Sequence, residues 1–380
     1  MTEDDRYFES EEFRELLAQY EYNLEYGHKI YLDADELCDL ADYYMSQGEE
    51  EKAIDATKRA LELHPDSSEP VTMMGDILYD MGRYDEAIPW INQALDNDPY
   101  DIESWLNLAE AQAQLELYAQ SEDSCEYALA IEPDNQQARL TLAYSLSHQE
   151  RYIDAQEQFD RILARQPDDE LALYHSAVNL CYLQRYEEAN NQLRHAREIC
   201  PKDSMEQSDI LLQLAFTEAH CGNLGEAIYA LDCANNAQDQ HFHIDYEILL
   251  GHIYLISGKP AEAEQHFEIA LQDKDKYYDT AQLIGQAYMD CGYYEQAAHY
   301  LGIVMYSAMN GSQDEASMEI ARQTVAPLAY CLYYTDHTEQ YQQALIIGAK
   351  LNPEDMKRYF RDIFPSSLKP DDYIIYSSRY

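Results

Sequence analysis

Three sets of side chains in this sequence could in principle do chemistry. His241 and His243 form an HxH pair beside a turn, a spacing at which two imidazoles can share a zinc ion, but no second pair stands at ligand spacing. Asp96, Asp98, Asp101 and Glu103 imitate an acidic calcium loop, yet the central glycine is missing and Pro99 interrupts it. The 8 cysteines are scattered singly, with no CxxC. Cys221 and Cys291 each precede a glycine at the same place in two related segments, and Cys125 stands where a large apolar residue is expected. All three read as small buried hydrophobes rather than nucleophiles. HExxH, GxSxG and a glycine-rich phosphate loop are absent. The expectation is a chain with no catalytic residue, no metal site and no cofactor, and so not an enzyme.

Function must then come from surface, and charge narrows the partners. The 380 residues carry 73 acidic against 25 basic side chains, a formal charge of −48. A surface with that excess repels phosphate backbones and anionic bilayers, which excludes nucleic acid and membrane as partners. The start, MTEDDRYFES, has neither a basic nor an apolar leader segment, and scattered thiols suit a reducing compartment; the expected location is cytoplasmic. The acidity is graded. Residues 1–150 hold 37 acids and 8 bases, 151–300 hold 26 and 10, and 301–380 hold 10 and 7.

What positions these side chains is a repeat. Pro65, Pro99, Pro133, Pro167 and Pro201 are each 34 residues apart and close similar phrases, from RALELHP to HAREICP. On that ruler a small residue recurs at Ala41, Gly75, Ala109, Ala143, Ala177, Ala215, Gly251, Gly285 and Ala329. A second series follows at Ala53, Ala87, Ser121, Ala155, Ala189, Ala227, Ala263 and Ala297, broken at Tyr341; a third runs through Ala60, Ala94, Ala128, Ala196, Ala234 and Ala270, with Ile162, Val304 and Gly348 as departures. Antiparallel helices approach closely only where both present small side chains. The first two series therefore mark where helix A and helix B of one unit touch, and the third where helix B meets the next unit. Gly48, Gly82, Gly222, Gly258 and Gly292 supply the left-handed residue between the two helices.

The pattern resembles the tetratricopeptide repeat family, as found in bacterial cytosolic proteins, whose signature is W-x2-L-G-x2-Y…A-x3-F…P. Residues 244–277 match best, through Leu250, Gly251, Tyr254, Ala263, Phe267 and Ala270, while Trp105, Leu108 and Ala109 supply the tryptophan-containing opening. The resemblance implies an all-α, right-handed superhelical solenoid of about nine helical hairpins with flanking capping helices. The expected division is an N-terminal cap over 1–33, repeats 1–5 over 34–203, repeats 6–8 over 204–311, a degenerate ninth repeat over 312–355, and a C-terminal cap and tail over 356–380. The capping helix 10–26 sets Phe13, Leu16, Leu17, Tyr20 and Leu24 on one face. Short insertions at 204–207 and 242–243 and the stretch 310–319 read as lengthened turns.

In the resembled family a groove lined by helix-A positions binds peptides, and one subclass clamps a C-terminal carboxylate with Lys and Asn. Here those positions begin Asp35, Cys38, Asp42, Glu69, Thr72, Asp76, Asp80, Glu103, Leu106 and Glu110, with nothing basic, so a clamp is disfavoured. They continue as Leu140, Tyr144 and His148, then Tyr174, Val178 and Tyr182, then Leu212 and Phe216, then Ile248, His252 and Leu255. Rings at water-facing positions imply a cover. The partner-binding residues expected are Asp42, Asp76, Asp80 and Glu110 for charge, and Tyr144, Tyr174, Val178, Tyr182, Phe216 and His252 for apolar anchorage. The function expected is a protein–protein interaction scaffold that holds a basic or apolar peptide or protein. The alternative is a self-associating solenoid whose groove forms a homodimer interface or is filled by its own aromatic tail.

Overall fold

The structure, a computed structural model, describes residues 7–29, 31–200, 205–237, 243–274, 276–310, 315–335 and 337–377. His241 and the side chain of His243 lie outside the described residues, as do Pro201 and Ser378–Tyr380. Among the described residues there is no strand, and no helix is long and apolar enough to cross a membrane. The chain divides into two compact units, Met1–Gln184 and Arg185–Tyr380.

Unit 1 holds α1 (Glu11–Glu25), α2 (Ala34–Ser46), α3 (Glu50–Leu63), α4 (Glu69–Asp80), α5 (Tyr84–Asn97), α6 (Ile102–Gln114), α7 (Tyr118–Ile131), α8 (Gln136–His148), α9 (Tyr152–Leu163) and α10 (Glu170–Tyr182). Helix starts recur because their caps recur. Asp33, Asp101, Asn135 and Asp169 each accept a hydrogen bond from a backbone N–H of the first turn, and Asp33 with Glu36 completes a reciprocal capping box. Helix ends recur for a second reason: the turn after helix A needs one left-handed residue. Gly48 and Gly82 provide it at φ +72° and +70°, but Glu116, Glu150 and Gln184 take the same conformation at 61°, 60° and 59°, where a Cβ is strained.

All three small-residue series are buried, and their departures Ile162, Val304, Tyr341 and Gly348 are buried with them. The two intra-hairpin series meet: Ser121 Oγ donates to the carbonyl of Ala109 at 2.7 Å. Hydroxyls also tie neighbouring hairpins together. Ser145 Oγ donates to Ser121 Oγ at 2.9 Å, and Gln156 Nε2 donates to Ser176 Oγ at 2.8 Å. At the N-terminal end Phe13 and Tyr20 of α1 are buried beside Tyr43 and Tyr44. Leu24 departs from its expected place: the last turn of α1 carries it past this cluster, and it is exposed.

Unit 2 holds α11 (Tyr186–Ile199), α12 (Met205–His220), α13 (Leu224–Ala237), α14 (His243–Ile256), α15 (Pro260–Ala270), α16 (Tyr277–Asp290), α17 (Tyr294–Asn310), α18 (Glu315–Tyr333), α19 (Thr338–Leu351), α20 (Pro353–Tyr359), a 3-10 turn at Pro370–Asp372 and α21 (Tyr373–Ser377). The stretch 310–319 is not simply a turn: Asn310 ends α17, 311–314 lie outside the described residues, and 315–319 open α18 ahead of the repeat register. Asn352 caps α20, which lays Met356 over Gly348 of α19. Phe360, Phe364 and Tyr373 are then buried, with Phe360 beside the rings of Tyr330, Tyr333 and Tyr341. The aromatic tail thus supplies the apolar face that a further hairpin would have supplied.

Two of these contacts set measurable limits. A Cβ on Gly251 would overlap the Phe267 ring, so Gly251→Ala is expected to destabilise unit 2 by about 1–3 kcal/mol in chemical denaturation. Gln184→Gly relieves left-handed strain at the cost of some unfolded-state entropy, and should stabilise the chain by roughly 0.5–1 kcal/mol.

Candidate functional site

Side chains that recur every 34 residues at the same point of helix A share one face of each unit. In unit 1 that face carries Asp42 on α2, Asp76 and Asp80 on α4, Glu110 on α6, Tyr144 on α8, and Tyr174, Val178 and Tyr182 on α10; in unit 2 it carries Phe216 on α12 and His252 on α14. None of the ten is fully buried. Three neighbours read from the sequence as groove residues belong to the interior instead: Cys38, Ile248 and Leu255 are buried. Leu255 and Ile248 join the core shared with Phe267, because they turn toward the partner helix of the hairpin and the helix that follows it.

The acidic stretch of unit 1 is crowded. Asp76 accepts a hydrogen bond from Asn107 Nδ2 at 3.0 Å, yet burial pushes its carboxyl up to about 6, with Glu103, Asp80 and Asp101 adding to the shift. Burial also raises Asp80. Glu69 is pushed up to about 7, first by a hydrogen bond with the carboxyl of Asp35 and then by burial. Glu110 accepts from Gln137 Nε2 at 3.3 Å. That Glu69 and Asp76 are both raised means that the protein around them removes water without supplying compensating positive charge.

The aromatic stretch is built on ring pairs that bridge successive hairpins. Tyr118, first residue of α7, stacks on His148 at the end of α8, with centroids 4.6 Å apart and planes at 11°. Tyr152 stacks on Tyr182 at 4.8 Å and 7°. In unit 2 Tyr186 stacks on His220 at 4.0 Å and 5°, and Tyr294 on Tyr334 at 4.6 Å and 18°. A ring from the middle of helix A joins three of these pairs: Tyr144 lies 4.3 Å from His148, Phe216 lies 4.5 Å from His220, and Tyr330 lies 5.1 Å from Tyr334. Tyr174 lies against His175, and Tyr182 keeps 63% of its surface exposed. Tyr118, Tyr152 and Tyr186 were not expected as site residues, although with Tyr84 they recur every 34 residues. Extending the helix-A register through the last two repeats would likewise have given Gln286, Asp290, Tyr330 and Tyr334.

Imidazoles of this face and thiols of the hairpins are shifted away from their charged forms. Burial lowers His148, His175 and His220, and takes His252 down to about 4, with His220 adding to that shift. These imidazoles are neutral flat surfaces near pH 7. Burial pushes the thiols of Cys38, Cys125, Cys291 and Cys331 up to about 12, which removes the thiolate a nucleophile needs. Among the described residues no group of three or more His, Cys, Asp or Glu side chains is placed to hold a metal ion. The acidic turn at Asp96–Glu103 serves the backbone: Asp98 accepts from Tyr100 N, and Asp101 accepts from Glu103 N and Ser104 Oγ.

The shifted carboxyls make stability depend on pH with a definite sign. A folded-state pKa near 6 for Asp76 lies above the ordinary 3.8, so between those values the folded state binds more protons than the unfolded one. Stability from this group therefore falls as pH rises through that window. Asp76→Asn should be more stable than the parent at pH 7, with the difference closing by about pH 4; parallel urea titrations at the two pH values measure it.

Sequence profiles of the tetratricopeptide repeat match residues 34–67, 72–136 and 114–181, over α2–α3 and the hairpins that follow. A tetratricopeptide repeat protein of Parabacteroides merdae shares the fold, with a TM-score of 0.52 at 18% identity, covering 66% of this chain and 98% of that one. PilW, a type IV pilus biogenesis factor, is similar at a TM-score of 0.48 and 22% identity, covering 56% of this chain and 96% of its own. MamA of Desulfovibrio magneticus is similar at 0.42 and 16%, covering 45% and 95%. No curated protein is similar enough in sequence to count as a relative. Profiles that match the hairpins over residues 34–67 and 72–181, and a fold held in common at low identity, show that this chain carries tetratricopeptide repeats and has the all-α solenoid fold they build.

Proposed function

We propose that the protein is a non-catalytic interaction scaffold whose helix-A face binds a protein segment carrying both basic and apolar side chains. One observation carries this reading. In unit 1 a row of carboxylates, Asp42, Asp76, Asp80 and Glu110, is followed along the same face by half-exposed rings, Tyr144, Tyr174 and Tyr182. A ligand with Lys or Arg at one end and apolar groups at the other complements the acidic row and covers the wetted aromatic surface. Val178 lies between Tyr174 and Tyr182 on the same helix, and Phe216 with His252 offers a comparable surface in unit 2. Stacked tyrosines lose little rotamer freedom on binding, and such anchors contribute on the order of 2 kcal/mol or more each.

The charge also acts before contact. A chain at −48 attracts a basic partner over roughly a Debye length, about 8 Å at physiological salt, and the effect falls as salt rises.

Selection of random twelve-residue peptides on the purified chain tests the reading. Enriched sequences should combine Lys or Arg with aromatic or aliphatic residues; enrichment of acidic sequences would sink it. For a selected peptide, reversing Asp42, Asp76, Asp80 and Glu110 to Lys should slow association at least about tenfold at low salt. Tyr182→Ala should instead speed dissociation.

A further inference from the structure

The last ring group differs from two of the three before it. In the groups around Tyr118 and Tyr186 the exposed partner of the stacked pair is an imidazole, His148 or His220. In the last it is Tyr334, about half exposed, and the helix-A position one repeat earlier is a carboxylate, Asp290. Asp290 ends α16 and Tyr294 begins α17, three residues of turn apart. Tyr330 stands across that pair at 66° to Tyr334 and 77° to Tyr294, with centroids 5.1 and 6.1 Å away. Tyr359 of α20 adds a fourth ring, 5.9 Å from Tyr330. Asp290 acts electrostatically on Tyr359 and on Cys331, the residue after Tyr330.

We propose that Asp290, Tyr294, Tyr330, Tyr334 and Tyr359 form a binding site for an alkylammonium group, the side chain of a partner's lysine with or without N-methylation. Clustered aromatic rings, with a carboxylate acting on one of them, attract an ammonium ion. Each face offers negative quadrupole potential within about 6 Å, and desolvation strengthens the attraction. The phenols of Tyr294, Tyr330 and Tyr359 stay neutral because burial and ring contacts raise their ionisation above the ordinary value. Asp290 accepts a hydrogen bond from Gln286 at 2.6 Å, a neutral donor that orients the carboxylate without cancelling its charge. Its tip remains open to solvent, while the protein packed around it raises the carboxyl. Arg358 covers Tyr359 at 5.6 Å and has its own carboxylate, Asp355, at 3.8 Å. Among the described residues no cation lies over Tyr294, Tyr330 or Tyr334.

This inference deepens the scaffold reading by naming one side chain of the partner, and it can fail separately. The full chain is titrated with choline and with 3,3-dimethylbutan-1-ol, its neutral carbon isostere, while tyrosine ring resonances are followed by NMR. Choline should bind about tenfold more tightly than the alcohol. Asp290→Asn and Tyr334→Ala should each weaken choline binding several-fold with an unchanged circular dichroism melt, while Tyr334→Phe retains it. Equal affinity for the two probes, no binding of choline, or full binding by the Asp290→Asn variant would overturn the site. Tripeptides with a central lysine, trimethyllysine or norleucine then distinguish sources. Binding of the two charged peptides and loss with norleucine supports lysine, whereas no difference among the three overturns the lysine assignment in favour of a free cation. Failure with choline leaves the peptide selection on unit 1 untouched, and selected peptides without basic residues would sink the scaffold reading while leaving this site standing.

Discussion

Everything in these two units depends on how closely helix A and helix B of a hairpin approach. The approach is set by side chains with almost no volume: Ala41, Ala109, Ala143 and their equivalents on one helix, Ala53, Ser121, Ala155 and theirs on the other. Close packing there leaves little room for a thick hydrophobic core, and larger side chains are displaced to the flanks. That displacement explains an otherwise odd composition, 35 tyrosines against 8 phenylalanines. Residues at the flanks of a thin layer meet both protein and water, and tyrosine satisfies both.

The same constraint generates the functional surface. Once hairpins stack at a fixed interval, any residue type repeated at that interval becomes a row in space. The rows here change character along the chain, from carboxylates on α2, α4 and α6 to rings on α8 and α10. The packed helices around each row desolvate it without covering it, so carboxyls rise and imidazoles fall even where solvent reaches their tips. This is an environment prepared for association: the charge and the ring surface have already lost part of their hydration.

The hairpins, their crossing points and the glycine turns were legible because each is a local rule repeated many times, and repetition separates signal from chance. The helix-A face was legible for the same reason, down to Asp76 and Tyr144. What escaped was non-repeating or depended on a second element. Leu255 lies at a helix-A position but turns toward the core, and only packing decides that. Glu116, Glu150 and Gln184 take a left-handed conformation that their residue types conceal. The stacking of Tyr118 on His148 joins residues 30 apart in different hairpins, a pairing that neither residue's own helical period reveals.

The hydroxyl bond from Ser145 to Ser121 bears on how such a chain avoids folding wrongly. A protein of look-alike hairpins faces exchange, in which one hairpin docks against the wrong neighbour with nearly the right apolar fit. Alanines cannot detect the error. Serine stands in the second small-residue series at position 121 alone, so a misplaced hairpin would leave a buried hydroxyl without its partner. The pair works as an address: it adds little to the stability of the correct stack and makes the incorrect ones worse.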